Sequence, residues 1–281
     1  MSASRSSRCR PAATVAAKVT LRAPLLALCL AAGPALAAPP EGYALAWSDE
    51  FTTDGLPDPT KWAYDTEANA TGWYNNEKQY YAVANPANSV QAGGMLHITA
   101  RRERLSDAPD HGGQDYSSAR LITKGLATWI YGYVEARARL PCGQGTWPAI
   151  WMLGASGDPW PLGGEIDIME HINSDQAVHG TLHSQATKGT SGNGGRMPVQ
   201  DPCGTFHLYQ MLWTPDRITI SVDDMPYVRF RNPGTGREAW PYDQPFYLLV
   251  NLAIGGTWPG AVDDSVLPAT FTLDYIRIYQ K

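Results

Sequence analysis

The 281-residue chain has little charge and no helical periodicity. Only 17% of its residues are charged and the formal net charge is −5, which argues against a nucleic-acid partner because such partners need a basic surface. No stretch has the apolar spacing of a long amphipathic helix, and no Gly/Ser linker, heptad or internal repeat divides the chain. The apolar fraction of 43% excludes a wholly disordered chain. The 10 Trp and 14 Tyr residues suit a β-rich core or a surface that stacks on flat, neutral ligands.

The first 37 residues contain no acidic side chain. Basic residues up to Arg22 precede a short apolar run, residues 23–32, and then the small-residue pattern Ala35-Leu36-Ala37. The run is too short for a comfortable membrane span. We therefore predict a signal peptide over residues 1–37, a single domain over residues 38–281, and an exported protein that is periplasmic or extracellular.

Cysteine and histidine give only weak signals. Cys142 and Cys203 remain after the predicted cleavage, and in an oxidising compartment they could form a disulfide or stay as two buried thiols. His179 and His183 share a face of one short strand, but no further Cys or His is near them in sequence, so a zinc site is not expected there.

Apolar and polar residues alternate in several short segments. Residues 95–101, 133–140 and 217–223 show a period of two, and residues 246–252 are nearly all apolar. This pattern predicts antiparallel strands and an all-β fold, most economically one sandwich of two packed sheets. The Gly- and Ser-rich segment 188–198 is predicted to be a loop at one end of a cleft.

The most informative segment carries three carboxylates. Glu165 and Asp167 are two residues apart and share one face of a strand, whereas Glu170 would point into the core. An unpaired buried carboxylate is costly. A β-bulge at Ile168 or Met169 would return Glu170 to the face of the other two acids.

Three adjacent carboxylates repel one another, and glycoside hydrolysis is a chemistry that needs two of them. One carboxylate can then be the nucleophile and the other the acid/base, while Asp167 helps to separate their pKa values. The alternatives are an acidic surface strand and a calcium site, although ligands along a regular strand are poorly placed to surround an ion.

The segment Glu165-Ile-Asp-Ile-Met-Glu170 resembles the E-x-D-x-x-E motif of family-sixteen glycoside hydrolases, in particular the bacterial laminarinase-like endo-β-1,3-glucanases. Further matching segments occur in the same order along the chain: Trp47–Phe51, Asn75–Glu77, Ser118–Leu121, Gly143–Leu153, His179–His183, Asn251–Gly260 and Asp274–Tyr279. The resemblance implies a β-jelly-roll with a substrate cleft on its concave sheet and retaining hydrolysis. It makes Glu165 the nucleophile, Glu170 the acid/base and Asp167 the assisting carboxylate.

Other activities stay open at this point. The same scaffold carries mixed-linkage β-glucanases, agarases, carrageenases and transglycosylases, and also non-catalytic glucan-binding lectins. The presence of both glutamates favours an enzyme over a lectin. The expected partner is a β-glucan polysaccharide, and we expect a monomer with no nucleic-acid partner and no catalytic cofactor.

Several aromatic and polar residues are candidates for sugar binding. Trp147 and Trp151 are four apart and could present both rings from one strand face, and Trp258 and Trp73 lie near Gly residues in segments that favour exposed rings. The resemblance adds Asn76 and Arg120 as hydrogen-bonding residues and places His183 in the cleft near the acid/base.

A structural calcium is predicted away from the cleft. In a regular strand Asp274 shares a face with the apolar residues Ile276 and Ile278, so its charge needs a partner or an ion. The resemblance implies a calcium held by Asp274 with backbone oxygens of Glu50 and Gly94, which would stabilise the fold and take no part in the chemistry.

Overall fold

The computed structural model describes residues 39–281, so the predicted signal peptide lies outside the described part. Within it, nearly all regular structure is β-strand, with three one-turn 3₁₀ segments at Tyr74–Asn76, Gln185–Thr187 and Asp264–Val266. The strands are β1 (Ala44–Asp49), β2 (Ala63–Tyr64), β3 (Gln79–Tyr81), β4 (Ser89–Ala92), β5 (Met95–Ala100), β6 (Tyr116–Ser118), β7 (Arg120–Ile122), β8 (Gly132–Arg139), β9 (Thr146–Gly154), β10 (Glu165–Glu170), β11 (Ala177–His183), β12 (Asn193–Pro198), β13 (His207–Thr214), β14 (Arg217–Val222), β15 (Met225–Arg231), β16 (Phe246–Ile254) and β17 (Ala269–Gln280).

Two large antiparallel sheets form the body of the protein. The eight-stranded sheet has the order β15-β14-β13-β8-β17-β5-β4, and β1 also pairs with β17. The seven-stranded sheet has the order β12-β11-β10-β9-β16-β7-β2, and β3 and β6 form a separate parallel pair. The prediction of an all-β sandwich is confirmed.

The core lies between the two sheets, where the alternating residues of both meet. Ile98 and Ala136 from the eight-stranded sheet and Ile150 and Ile166 from the seven-stranded sheet belong to one buried cluster, and each is fully buried. All nine residues of β16 are buried, and the strand lies inside its sheet between β9 and β7. Its nearly continuous apolar sequence is typical of a strand covered on both faces.

The segment 188–198 is only partly a loop. Residues 193–198 form β12, which pairs with β11 at the edge of the seven-stranded sheet. The prediction of a loop over the whole segment is therefore wrong. Its glycines permit close strand approach, since a Cβ at Gly194 would lie 2.8 Å from the carbonyl oxygen of Gly180.

Asp274 does not lie on an apolar face. The pairing of β17 with β8 shifts between Leu273 and Tyr275, so a bulge breaks the alternation there. The side chain of Asp274 is one-third exposed, and its Oδ2 pairs with Nη1 of Arg137 at 2.5 Å. The sequence argument that Asp274 shares a face with Ile276 and Ile278 is wrong, because it assumed a regular strand.

The two remaining cysteines form a disulfide, which settles the alternative that the sequence left open. Cys142 and Cys203 have a Cα–Cα distance of 5.7 Å and are 61 residues apart in sequence. The bond joins the loop before β9 to the loop before β13. Among the described residues, no helix is long and apolar enough to cross a membrane.

Candidate active site

The predicted bulge in β10 is present. Asp167 pairs with Trp151 of β9, and the next pairs are Met169 with Ile150 and Glu170 with Ala149, so Ile168 is the additional residue. The pairing with β11 shifts at the same place. Both Ile168 and Met169 are fully buried, and all three carboxylates face the same cleft.

This cleft lies on the face of the seven-stranded sheet that points away from the core. It encloses about 1520 Å³, more than the roughly 300–1,000 Å³ of pockets for drug-sized ligands, so it has room for several sugar units. Aromatic side chains and carboxylates share its lining, which includes Trp73, Trp147, Trp151, Trp160, Tyr247, Trp258, Glu165, Asp167 and Glu170.

Glu165 is held by two hydrogen-bonding neighbours. The Trp160 indole Nε1 donates to Glu165 Oε2 at 2.6 Å, and Asp167, when protonated, donates to Glu165. Gly164, directly before Glu165, has a φ of +80°, and a Cβ there would lie 2.8 Å from Pro241 Cγ. A larger residue at Gly164 would therefore displace the start of β10 and the Glu165 side chain with it.

Asp167 and Glu170 both favour the protonated form. Burial raises the pKa of Asp167 well above its usual value, and the charge of Glu165 raises it further. Burial also raises the pKa of Glu170 well above its usual value, followed by the charges of Asp167 and Glu165, while hydrogen bonding from Trp147 lowers it. Glu170 is thus suited to donate a proton near neutral pH.

The two cleft histidines are paired across strands with different glutamates of β10. His183 pairs across strands with Glu165, and its Nε2 lies 3.3 Å from Asp167 Oδ2. His179 pairs with Glu170. The structure brings His183 into the cleft, where it pairs with Glu165 and is also near enough to Glu170 for its charge to lower the pKa of that carboxyl.

Three packed rings form a group that begins at the carboxyl group of Glu170. Trp147 Nε1 donates to Glu170 Oε1 at 3.1 Å. The Trp147 ring packs edge-on against Trp258 at 5.3 Å between centroids, and Trp258 packs against His179 at 4.9 Å. Trp258 is 39% exposed, so part of its ring is free to stack on a sugar.

A second aromatic group lies farther along the cleft. The guanidinium of Arg120 lies between the rings of Trp73 and Trp151, at 5.0 and 4.7 Å from their centroids, and Arg120 also pairs with Asp65 at 3.0 Å. Trp73 is only 5% exposed, so it supports the wall more than it offers a free ring. Trp151 Nε1 donates to Asn251 Oδ1 at 2.7 Å.

The structure does not bring Asn76 to the cleft wall. Its neighbours Tyr74, Asn75 and Glu77 line the cleft, while Asn76 is exposed elsewhere. Asn75 and Asn76 both have φ values of 58°. Consecutive left-handed residues change the direction of successive side chains, so counting along the sequence cannot assign their faces.

Trp160, His179 and Asn75 are site residues that the sequence analysis did not propose. Trp160 follows Asp158-Pro159 and precedes Pro161-Leu162-Gly163, so no periodicity assigns its direction. Its position five residues before Glu165, in a Pro- and Gly-rich loop beside the motif, is the signal that could have identified it. His179 could have been found from the bulge, because the shifted register pairs it with Glu170.

The predicted calcium ligands come from neighbouring parts of the eight-stranded sheet. Asp49 of β1 pairs with Ile276, and Leu96 of β5 pairs with Leu273, so the end of β1 and the start of β5 both lie beside the bulge at Asp274. The Glu50 carboxylate is paired with Arg277 at 2.8 Å, and the Asp274 carboxylate is paired with Arg137. An ion at this place would therefore rely on the backbone oxygens of Glu50 and Gly94 and would share Asp274 with Arg137.

A bulged strand with three carboxylates, set in a large aromatic-lined cleft on a β-sandwich, defines a carbohydrate-active enzyme of the two-carboxylate class. Residues 76–277 match the family model Glycosyl hydrolases family 16, and the chain belongs to that family. It is 46% identical over 254 residues to a β-glucanase of Rhodothermus marinus, with 85% of each chain covered.

Solved structures of the family have the same fold. The laminarinase from Rhodothermus marinus superposes with a TM-score of 0.79 at 46% identity, over 85% of this chain and 97% of that chain. SCLam, described as a non-specific endo-β-1,3(4)-glucanase, superposes with a TM-score of 0.84 at 50% identity, over 87% of this chain and 94% of the other. The predicted jelly-roll sandwich is confirmed.

Proposed function

We propose that this chain is an endo-acting β-1,3-glucanase that cleaves laminarin-type glucans with retention of configuration. The observation that carries the proposal is the bulge at Ile168, which brings Glu165, Asp167 and Glu170 together on the floor of one cleft. The named relatives, a β-glucanase and a laminarinase, support the choice of substrate. Hydrolysis in this family needs no catalytic cofactor.

The first step forms a covalent glycosyl-enzyme. Glu170, protonated because burial and its acidic neighbours raise its pKa, donates its proton to the glycosidic oxygen. Glu165 attacks the anomeric carbon as the C–O bond to the leaving sugar breaks. The Trp160 indole Nε1 stabilises the attacking carboxylate and fixes its direction.

The second step releases the sugar. Glu170, now ionised, removes a proton from a water molecule, which attacks the anomeric carbon and displaces Glu165. Asp167 lies between Glu165 and His183, within hydrogen-bond reach of each. A proton held on Asp167 reduces the repulsion between the carboxylates at each stage of the cycle.

Mixed-linkage β-1,3-1,4-glucan is the second candidate substrate. SCLam, which covers most of this chain at 50% identity, is described as non-specific between the two linkages. Incubation with laminarin, mixed-linkage glucan, agarose and carrageenan, followed by analysis of product length, distinguishes these substrates. Release of only single glucose units from laminarin would contradict endo action.

The nucleophile assignment is tested with Glu165→Gln. We expect the variant to bind laminarin and keep its melting temperature while kcat falls by at least about 10³-fold, because the covalent step needs the carboxylate. Glu67→Gln is the matched control, since Glu67 is an exposed residue of the cleft rim. A Glu165→Gln variant with near wild-type turnover would contradict the assignment, and an α-anomeric first product in NMR would contradict retention.

We further propose that the protein is exported through residues 1–37 and acts as a monomer. The basic and apolar pattern of that segment supports export. Fractionation of the producing cells should recover a chain that begins at residue 38 outside the cytoplasm, and light scattering should give the mass of one domain. An uncut chain in the cytoplasm, or a dimer mass, would contradict these proposals.

We also propose a structural calcium at Asp274 with the backbone oxygens of Glu50 and Gly94. The junction of β1, β5 and the β17 bulge supports it. A chelator should lower the melting temperature, and added Ca²⁺ should restore it, because an ion that binds only the folded state stabilises it. Asp274→Asn should reduce this response, and a melting temperature indifferent to both additions would contradict the site.

A further inference from the structure

A buried histidine lies beside the disulfide, on the side of β10 away from the cleft. His171 directly follows Glu170, its side chain is fully buried, and its backbone N–H donates to the carbonyl oxygen of Pro148. One donor atom each from Cys142, His171 and Cys203 lie within 4.8 Å of one another. None of the three has a role in the hydrolysis described above.

The two ring nitrogens of His171 have different environments. Nε2 lies 2.7 Å from the carbonyl oxygen of Asp175, so it carries the hydrogen and donates it. Nδ1 is buried and has no hydrogen-bond partner among the described residues. A carbonyl that fixes one nitrogen as the donor leaves the other as a free lone pair, which is how metal-binding histidines are oriented in proteins.

We propose that the dithiol form of this protein binds a single Zn²⁺ ion through Cys142 Sγ, Cys203 Sγ and His171 Nδ1, with water as the fourth ligand. Two thiolates and one imidazole are a common zinc donor set. Tetrahedral zinc holds neighbouring sulfur and nitrogen donors about 3.5–3.8 Å apart. A ring nitrogen of His171 already lies within 4.8 Å of both sulfur atoms, so we expect only small movements once the sulfur atoms are free to separate.

The site is available only after reduction. An external dithiol transfers two electrons and two protons to the Cys142–Cys203 bond, becomes a disulfide itself and leaves two thiols on the protein. Zn²⁺ then displaces both thiol protons to the solvent. Both cysteines are partly exposed, so the reductant can reach the bond, while His171 is already oriented by its contact with Asp175.

The loops around the site support a preformed geometry. Gly145 N–H donates to Asn173 Oδ1 at 2.7 Å and Gly143 N–H donates to the Asn173 carbonyl at 3.1 Å. Leu140 N–H donates to the Pro202 carbonyl at 3.1 Å. None of these contacts involves a sulfur atom, so we expect them to hold the Cys142 loop against the His171 segment and the Cys203 loop after reduction as well.

Cobalt(II) titration of the folded chain that begins at residue 38, from which Cys9 and Cys29 are absent, tests the proposal. In the presence of a non-chelating phosphine reductant, we expect one Co²⁺ ion per chain with a thiolate-to-cobalt charge-transfer band and tetrahedral d–d bands. Zn²⁺ should displace it, and the oxidised protein should show neither band. A reduced wild-type protein that binds no more Co²⁺ than the oxidised protein would overturn the proposal.

Two histidine variants identify the third ligand. His171→Asn should weaken Co²⁺ binding by at least about tenfold. His207→Asn is the matched control, because His207 is close to Cys203 in sequence but contacts Asp223 at 2.6 Å and lies outside the cluster; its affinity should stay unchanged. Equal affinities of His171→Asn and wild type would overturn the assignment of His171.

X-ray absorption of the zinc-loaded, reduced wild-type protein provides an answer even where His171→Asn fails to fold. Two sulfur neighbours and one imidazole in the fit support the site. In the chain that begins at residue 38, which contains only Cys142 and Cys203, a shell of four sulfurs requires two molecules. Such a shell, or a spectrum without imidazole scattering, overturns the proposal.

Discussion

At the scale of single residues, the cleft separates carboxylates that look alike in the sequence. Both glutamates accept an indole hydrogen bond, Glu165 from Trp160 at 2.6 Å and Glu170 from Trp147 at 3.1 Å. Burial and the charges of the neighbouring acids raise the pKa of Glu170, which supports the proposal that Glu170 is the acid.

The hydrogen bond from Trp147 to Glu170 can be tested through the pH dependence of activity. Its Nε1 donates to Glu170 Oε1 and thereby lowers the pKa of Glu170. Trp147→Phe removes this donor, so the pKa of Glu170 should rise further. Because the acid must be protonated and activity is lost as pH rises through its pKa, the alkaline limb of kcat/KM should move to higher pH.

Trp151→Phe is the matched control for that measurement. Its indole lies on the same strand face but donates to Asn251, so its loss should leave the alkaline limb in place. An alkaline limb that stays fixed or moves to lower pH in Trp147→Phe would contradict the role given to this hydrogen bond.

Residue positions were predictable from the sequence where strands are regular. Trp147 and Trp151 share a cleft face because alternation fixes it. Asn76 was proposed from the resemblance alone, and the structure places its neighbours Asn75 and Glu77 in the cleft wall instead. Trp160 lies in a loop whose course no periodicity assigns, although its closeness to the motif was a usable signal.

At the scale of elements, the same reasoning about acidic residues on an apolar face applies to strands β10 and β17. An acid that falls on the apolar side of a regular strand indicates a bulge, and this reasoning correctly located the irregularity at Ile168. The same reasoning applied to Asp274 predicts the bulge that the structure shows in β17, but the sequence analysis took that acid as a sign of an ion alone. The sequence shows that an acidic residue falls on the apolar side of a regular strand. Only the strand pairing in the structure shows whether a bulge or an ion accommodates that residue.

The phase of β10 can be tested by deletion. Removing Ile168 alone leaves Glu165, Asp167 and the third acid on one face, because the pairing with β9 then becomes regular. We expect a folded protein with measurable laminarin hydrolysis, destabilised by about 2–5 kcal/mol through loss of a buried side chain.

Removing both Ile168 and Met169 is the contrasting variant. It turns the last glutamate toward the core, so activity should disappear and the soluble yield should fall. Activity measured beside circular dichroism distinguishes the outcomes. Equal loss of activity in two well-folded deletion variants would contradict the importance of strand phase.

At the scale of the whole molecule, the two faces of the seven-stranded sheet differ. One face packs against the hydrophobic core, and the other carries the cleft with its carboxylates. Ile150 and Ile166 are fully buried on the core side of the seven-stranded sheet, while the cleft side carries the buried Asp167 and the half-buried Glu165 and Glu170. The fold class could be predicted from alternation and turns. The disulfide could not, because the distance between two cysteines depends on how β9 and β13 are placed by the assembled sheets.

The disulfide closes a segment of 61 residues in sequence. In the chain-entropy description this stabilises the fold by about 4 kcal/mol. At roughly 2–4 °C per kcal/mol for a domain of this size, the pair of substitutions Cys142→Ser and Cys203→Ser should lower the melting temperature by about 10 °C. Calorimetry with a chelator present measures this effect without interference from metal ions.

A reductant provides the internal control for that prediction. It should lower the melting temperature of the wild-type protein but not that of the double serine variant. A wild-type melting temperature unaffected by complete reduction would contradict the stabilising role.

All three acids, both stacking tryptophans of β9 and both cleft histidines lie inside the covalent ring closed by Cys142 and Cys203. The most exposed stretch of that ring, Lys188–Ser191, joins β11 to β12. If a protease cleaves the backbone there, the chain gains two new termini. The two fragments stay in one molecule because the Cys142–Cys203 disulfide still joins them. Damage at the rim of the cleft can thus be survived without dissociation of the catalytic machinery.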